Sequence, residues 1–186
     1  MKKLFLLLFC INSVAYCQPK LISTIVEDLN HNGEWIKYSR FDYKYDSNGN
    51  LVTRKNIYED IAISFSNSNT EFTYDSANKL TEYLFQLYVN NHFLNYYRLI
   101  RTYNSDEKLS QIFNEQYIQN KWENKSKTEF NYSGLKLSNT KKYNYEKSNW
   151  KIDSKSTNTY DGDNLTQILH EKWNYIEWNN SSKEKF

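Results

Sequence analysis

Large apolar residues return along this chain at a fixed interval. Tyr followed by Asp, Asn or Ser occurs at Tyr45-Asp46, Tyr74-Asp75, Tyr103-Asn104, Tyr132-Ser133 and Tyr160-Asp161, spaced 29, 29, 29 and 28 residues apart. A leucine follows each anchor after six residues (Leu51, Leu80, Leu109) or five (Leu137, Leu165), and Leu21 fits one unit earlier. Ten residues before the Tyr stands Trp35, Phe93, Trp122 or Trp150; Ser64 fails the slot and Trp178 continues the series. Eight residues after the Leu comes Leu29, Tyr88, Tyr117, Tyr145 or Trp173. A period of this length is the mark of a stacked repeat architecture.

Within a unit, the segment from Trp to Tyr alternates. Trp122, Asn124, Ser126, Thr128, Phe130 and Tyr132 fall on one side, and Glu123, Lys125, Lys127, Glu129 and Asn131 on the other, which is the period of a strand. The links Asp46-Ser47-Asn48-Gly49-Asn50 and Asp161-Gly162-Asp163-Asn164 carry the residues that hairpin turns require for positive φ. In the other half-unit, Leu109, Ile112, Phe113, Tyr117 and Leu165, Ile168, Leu169, Trp173 follow three-and-four spacing that also suits a helix face. The Tyr, Thr and Asn content, the lysines Lys141 and Lys142 in the equivalent segment and the short links favour a strand. The expected fold is all-β: antiparallel hairpin repeats forming an open, twisted or solenoid-like meander of about twelve strands.

The positions counted from each Leu qualify this picture. The third (Ser23, Thr53, Glu82, Gln111, Asn139, Gln167) and most of the seventh (Glu27, Ile57, Gln86, Glu115, Tyr143, Glu171) are polar. A face that is apolar at its rims and polar between them is not that of a dry sandwich. Rows of identical slots on a partly wet sheet are expected, stabilised by cross-strand aromatic pairs, with charges discouraging edge pairing.

The stretch Phe41-Asp42-Tyr43-Lys44-Tyr45-Asp46-Ser47-Asn48-Gly49-Asn50-Leu51 resembles the YD repeat of Rhs-type and teneurin-like shells. The fuller unit, as in Trp173-Asn174-Tyr175-Ile176-Glu177-Trp178-Asn179-Asn180-Ser181-Ser182-Lys183, resembles Trp- and Asn-rich tandem repeats of exported proteins in Bacteroidota. Gly49 alone keeps the motif glycine; Ala77-Asn78 and Asp106-Glu107 replace it. The resemblance implies an extracellular shell, adhesion or sugar-binding role and brings no catalytic residue with it.

The first residues have a different character. Lys2 and Lys3 precede the apolar run Leu4 to Ile11, and Val14-Ala15-Tyr16-Cys17 leads to Gln18. This is the outline of a secretory signal peptide over residues 1–17, cleaved after Cys17, leaving a β-repeat domain over 18–186 of about six hairpin units, the last incomplete. Tyr16 stands where a lipoprotein signal wants a small residue, which argues against lipidation of Cys17. Cys10 and Cys17 are the two cysteines, so the mature chain is expected to fold without a disulfide.

Removal of Lys2 and Lys3 also converts 24 basic against 22 acidic side chains into 22 against 22. A nucleic-acid partner, which needs a gathered basic excess, is therefore not expected. The 25 Asn, 18 Ser and 17 Tyr have clear uses, the Asn in turns and the Tyr in the stacked slots. A membrane-spanning barrel is also not expected, because charges on one side of the strand and Asn124 and Ser126 on the other leave no lipid-facing band.

Candidate chemistry is sparse. His31, His92 and His170 occupy different slots, so no metal site and no cofactor are expected. Glu27, Glu115 and Glu171 share a slot with Gln86, but glycoside hydrolysis wants two carboxyls in contrasted environments and a repeated slot supplies similar ones. The tryptophans form the sharper pattern. Trp122, Trp150 and Trp178 are equally spaced and could present a ladder to sugar rings, a polysaccharide or cell-surface component being the partner class. The expected role is an exported, non-enzymatic structural or binding surface. The alternatives are a fragment of a toxin-enclosing shell and a carbohydrate-active enzyme using the glutamate row. Expression with export, followed by intact-mass measurement, should return a chain beginning at Gln18; retention of residues 1–17 would show an uncleaved anchor.

Overall fold

The computed structural model describes residues 20–29, 32–58 and 67–186. The predicted signal segment, His31 and Ser64 lie outside the described residues. Twelve strands follow one another: β1 (Ser23–Leu29), β2 (Trp35–Tyr45), β3 (Leu51–Tyr58), β4 (Ser68–Tyr74), β5 (Leu80–Val89), β6 (His92–Tyr103), β7 (Leu109–Ile118), β8 (Lys121–Ser133), β9 (Lys136–Glu146), β10 (Asn149–Asp161), β11 (Asn164–Trp173) and β12 (Trp178–Lys185). They form one antiparallel sheet in sequence order, open between β1 and β12. The Leu-to-aromatic segments are strands, so the three-and-four spacing of Leu109, Ile112 and Phe113 is not a helix face.

Turn chemistry explains the strand boundaries. Asn90-Asn91, Gln119-Asn120 and Lys147-Ser148 are two-residue turns in which both residues have positive φ, between 49° and 67°, the conformation that matches the twist of the flanking strands. At the Tyr end the side chain after the anchor builds the turn. Asp46 Oδ1 accepts from the Asn50 amide at 2.8 Å, Asp75 Oδ1 from Ala77 and Lys79 at 2.9 Å each, and Asn104 Oδ1 from Asp106 at 3.1 Å and Lys108 at 2.9 Å. The position held by Gly49 (φ 93°) in the first such turn is Asn78 (φ 61°) and Glu107 (φ 64°) in the next two. Loss of the motif glycine therefore leaves the turn geometry in place. Later units turn on Gly134-Leu135 and Gly162-Asp163 alone, with only the glycine at positive φ. These shorter turns bring Leu137 and Leu165 one residue nearer their anchors and shorten the period from 29 to 28.

Each regular repeat contains two bulges. At the Tyr end the skipped residues are Val52, Thr81, Ser110, Ser138 and Thr166. The last four return their hydroxyls to the opposite strand's carbonyls at Thr73, Thr102, Asn131 and Thr159, at 2.9–3.1 Å. At the Trp end the skipped residues are Tyr38, Tyr96, Lys125, Asp153 and Ser181. This second bulge corrects the alternation expected from the sequence. Asn124 opposes Glu115 whereas Ser126 opposes Asn114, and successive residues of β7 point to opposite faces. Trp122 and Asn124 therefore share a face with Lys127 and Glu129, while Ser126, Thr128, Phe130 and Tyr132 lie on the other.

No hydrophobic side chain among the described residues is fully buried; the buried positions are Ser39, Asn69 and Thr70. Stability must come from neighbouring strands, and the tyrosine face shows how. The hydroxyls of Tyr45, Tyr74, Tyr103, Tyr132 and Tyr160 donate to the carbonyls of Leu21, Leu51, Leu80, Leu109 and Leu137 at 2.8–3.1 Å. Tyr103 pairs through its backbone with Leu109 on β7 and through its hydroxyl with Leu80 on β5, so it ties three strands. The lysine before each leucine lies over the next anchor ring: Lys20 over Tyr45, Lys79 over Tyr103, Lys108 over Tyr132 and Lys136 over Tyr160, at 5.3–5.5 Å. Their ammonium groups then reach the following turn, Lys79 at Glu107, Lys108 at the Gly134 carbonyl and Lys136 at the Gly162 carbonyl and Asp163. Where Asn50 replaces the lysine, its amide donates to Asn78 in the next turn at 3.0 Å.

A neutral hydrogen bond of this kind contributes roughly 1 kcal/mol net. Tyr103→Phe should therefore lower unfolding stability by about 1 kcal/mol in urea titration. Tyr96→Phe, at a bulge and without a hydroxyl partner among the described residues, should change it by less than about 0.5 kcal/mol. Equal effects of the two substitutions would contradict the ladder.

Candidate functional site: the tryptophan face

The opposite face carries the tryptophans. Tyr88 faces Phe93, Tyr117 faces Trp122, Tyr145 faces Trp150 and Trp173 faces Trp178 across the two-stranded turns. Their ring centroids are 4.9–5.3 Å apart at interplanar angles of 57–63°, within the favourable range for tilted and edge-to-face pairs. The two aromatic series seen in the sequence are thus the two halves of one pair. Trp122, Trp150 and Trp178 are each half-buried, with one side of the ring against the partner aromatic. Trp35 is 70% exposed. The three candidates stand on β8, β10 and β12, two strands apart, so they recur about every 10 Å across the sheet.

Each candidate also carries a cation. Arg98 lies 4.5 Å from the Trp122 ring centre, Lys155 4.5 Å from Trp178, and Lys127 5.4 Å from Trp150 and 4.5 Å from Tyr143. These cations occupy one slot, five residues after Phe93, Trp122 and Trp150, and oppose the glutamate slot. Arg98 Nε meets Glu115 at 2.6 Å and Lys155 Nζ meets Glu171 at 3.0 Å. In the unit between, the glutamate slot holds Tyr143, and Lys127 turns to Glu129 at 2.7 Å while Tyr143 donates to Glu129 at 2.9 Å. In an earlier unit the same pair of slots is Asn69 and Gln86, joined amide to amide at 2.7 Å. The face therefore displays a repeated unit of cation, acceptor and tilted indole. The cations were missed as site residues in the sequence, although their spacing of 29 and 28 was available to find them.

Shallow depressions lie beside the aromatic pairs. One of about 380 Å³ is lined by Trp122, Asn124, Glu123, Lys121, Tyr145 and Ser148. Another of about 300 Å³ is lined in part by Trp173, Lys151 and Ile152, which are the residues one repeat beyond Tyr145, Glu123 and Asn124. Glu115 on β7 and Glu171 on β11 are four strand spacings apart, or about 19 Å along the sheet. His92 is exposed and bonds the Asn90 carbonyl at 2.8 Å. His170 is half-buried, held between Ser156 at 2.7 Å and Glu184 at 3.2 Å.

The acid–base groups of this face are tied to its packing. Burial pushes the Tyr143 hydroxyl up to about 12, helped by its bond to Glu129 and that carboxylate's charge. On the opposite face, burial raises Tyr97, again to about 12, with its bond to Tyr83 adding to the shift. At Glu129 burial works upward, but the hydrogen bonds from Lys127 and Tyr143 and the charges of Lys127 and Lys141 outweigh it and hold the carboxyl below its ordinary value.

No family model matches the chain, and no curated protein matches it in sequence. Among solved structures, it is similar to a protein of unknown function from Bacteroides fragilis, with a TM-score of 0.57 at 12% identity over 67% of this chain and 96% of the other. That likeness concerns the fold. A DUF3836 family protein from Parabacteroides distasonis gives a TM-score of 0.31 at 13% identity, over 62% of this chain and 91% of that one. A chain of a TcdB2-TccC3-Cdc42 structure gives 0.26 at 13% identity, over 89% of this chain and 11% of its own.

Two pH limbs follow for the folded protein. A tyrosine whose pKa is raised by folding contributes stability that is intact below the unfolded value of 10.0 and is lost as pH rises toward about 12. A depressed carboxyl such as Glu129 contributes stability present above 4.5 and lost as pH falls through its folded value. Melting temperature should fall on both sides, and Tyr143→Phe should flatten the alkaline limb while Glu129→Gln flattens the acid one. Unchanged limbs in these variants would place the titrating groups elsewhere.

Proposed function

We propose that the chain is an exported, non-enzymatic repeat protein whose tryptophan face binds an extended polymer, most simply a polysaccharide. The observation that carries this reading is the match between a periodic face and a periodic ligand. Trp122, Trp150 and Trp178 recur about every 10 Å, close to the length of two sugar rings in an extended chain. Trp122 lines one depression beside donors and acceptors from Asn124, Lys121 and Glu123, the combination that sugar hydroxyls and ring faces use, and Trp150 and Trp178 stand half-buried beside Lys127 and Lys155. The depressions are shallow and recur one repeat along, which suits many weak contacts along a strand.

The glutamate row supports a binding surface better than hydrolysis. Glycoside hydrolysis places its two carboxyls roughly 5–9.5 Å apart, and the separation across four strands is about twice that. Glu115 and Glu171 are moreover each engaged by a cation. The export reading comes from residues 1–17. No helix among the described residues is long and apolar enough to cross a membrane. The Tyr-Asp turns favour a second reading, a fragment of a larger YD-type shell; a neighbouring reading frame with further repeats and a toxic domain would support it.

Affinity electrophoresis and glycan arrays should show retention by at least one extended polysaccharide, with Trp122→Ala and Trp150→Ala each weakening it about 10-fold or more, as loss of a 1.4 kcal/mol contact would. Absence of binding by the unaltered protein ends the glycan reading. Polysaccharide turnover abolished by Glu115→Gln or Glu171→Gln would replace it with an enzyme.

A further inference from the structure

The two edges of the sheet are of different kinds. Strands alternate along the sheet between a leucine type (β1, β3, β5, β7, β9, β11) and an anchor type, which runs from a Trp or Phe slot toward a Tyr slot (β2, β6, β8, β10) or, in β4, is described from Ser68 to its Tyr slot at Tyr74. One edge is β1, of leucine type. The other is β12, which begins in the tryptophan slot at Trp178 and is exposed along the rest of its length. The strand that follows an anchor-type strand inside the sheet is always of leucine type. The two edges are therefore the two sides of a junction that the sheet already makes several times internally.

The side chains at the edges match that junction slot by slot. Inside the sheet Lys155 on β10 opposes Glu171 on β11 and lies over Trp178 on β12. Arg98, Glu115 and Trp122 repeat the arrangement on β6, β7 and β8. Lys183 stands 28 residues after Lys155, in the cation slot of β12, and Glu27 stands six residues after Leu21, in the glutamate slot of β1. Both are exposed, and neither forms an ion pair with a described residue. Trp35, the next tryptophan in the series, is 70% exposed and has no cation over it among the described residues. We propose that β12 of one copy of this chain pairs antiparallel with β1 of a second copy, head to tail, so that Lys183 meets Glu27 of the second copy and covers its Trp35.

In the register of β10 and β11, Ser182 then opposes Asp28, and Lys185 opposes Ile25 of the second copy. Lysine on an edge strand ordinarily discourages pairing. Here one lysine occupies the slot whose partner at the β6–β7 and β10–β11 junctions is a glutamate, so it favours that strand and that register. The contact is heterologous, joining two different surfaces, and extends without closing unless curvature brings the ends together.

Sedimentation velocity of the full chain across a concentration series tests the pairing. Concentration-dependent dimers and longer species are expected. Glu27→Lys alone and Lys183→Glu alone should each weaken association about 5-fold, as like charges directly opposite one another do. Mixing the two variants should restore it, because every junction between them is again oppositely charged. Far-ultraviolet circular dichroism confirms the sheet in each variant, and Glu27→Gln or Lys183→Gln replaces a variant that loses it, with a smaller expected loss. A chain that stays monomeric up to about 1 mM overturns the proposal. So does association that neither substitution weakens, or that the mixture fails to restore.

Discussion

A sheet one layer thick has no interior, and its strands must be held by the strands beside them. In this protein the hydroxyl of each anchor tyrosine reaches the carbonyl of the leucine that opens the preceding leucine-type strand, and for Tyr45, Tyr103, Tyr132 and Tyr160 a lysine closes over the ring. The backbone ladder alone would allow slippage, since a polar, two-sided strand specifies register weakly. The tyrosine bond specifies it, because a shift by one residue would move the hydroxyl to the other face. Energy in such a molecule is close to a sum over neighbouring repeats, so no single substitution removes a core.

The bulges divide labour between the faces. Had strict alternation continued through β8, Trp122 would lie with Tyr132 and the sheet would present one aromatic face and one charged face. The skipped Lys125 changes the phase in mid-strand. The anchor tyrosines and turn-bridging lysines gather on one side, where they bind repeat to repeat. The tryptophans fall on the other, beside Arg98, Lys127 and Lys155 and their carboxylates. The tryptophan face is consequently separate from the face on which the anchor tyrosines bind repeat to repeat.

Much of this was legible in advance from particular residues. The anchors from Tyr45 to Tyr160 and the leucines after them marked the strands, and Asp46-Ser47-Asn48-Gly49 and Asp161-Gly162 marked turns, because positive φ restricts which residues can occupy them. The change from six to five residues between anchor and leucine was visible too, though its cause is the two-residue turns at Gly134 and Gly162. The phase change at Lys125 left no mark, because this bulge needs no particular side chain: Tyr38, Tyr96, Lys125, Asp153 and Ser181 share no chemistry. The pairing of Tyr117 with Trp122 was hidden for a related reason: both series were readable, but only the turn places them opposite each other.

The sequence by itself therefore determined the all-β repeat, its strand count and its period, since these rest on local preferences that each unit states independently. Only the tertiary structure decided which side chains share a face, that the tyrosines bind leucine carbonyls, and that Arg98 and Lys155 bridge a glutamate and an indole. Those relations depend on register between strands, and register is set by bulges and hydrogen bonds that join residues more than twenty positions apart.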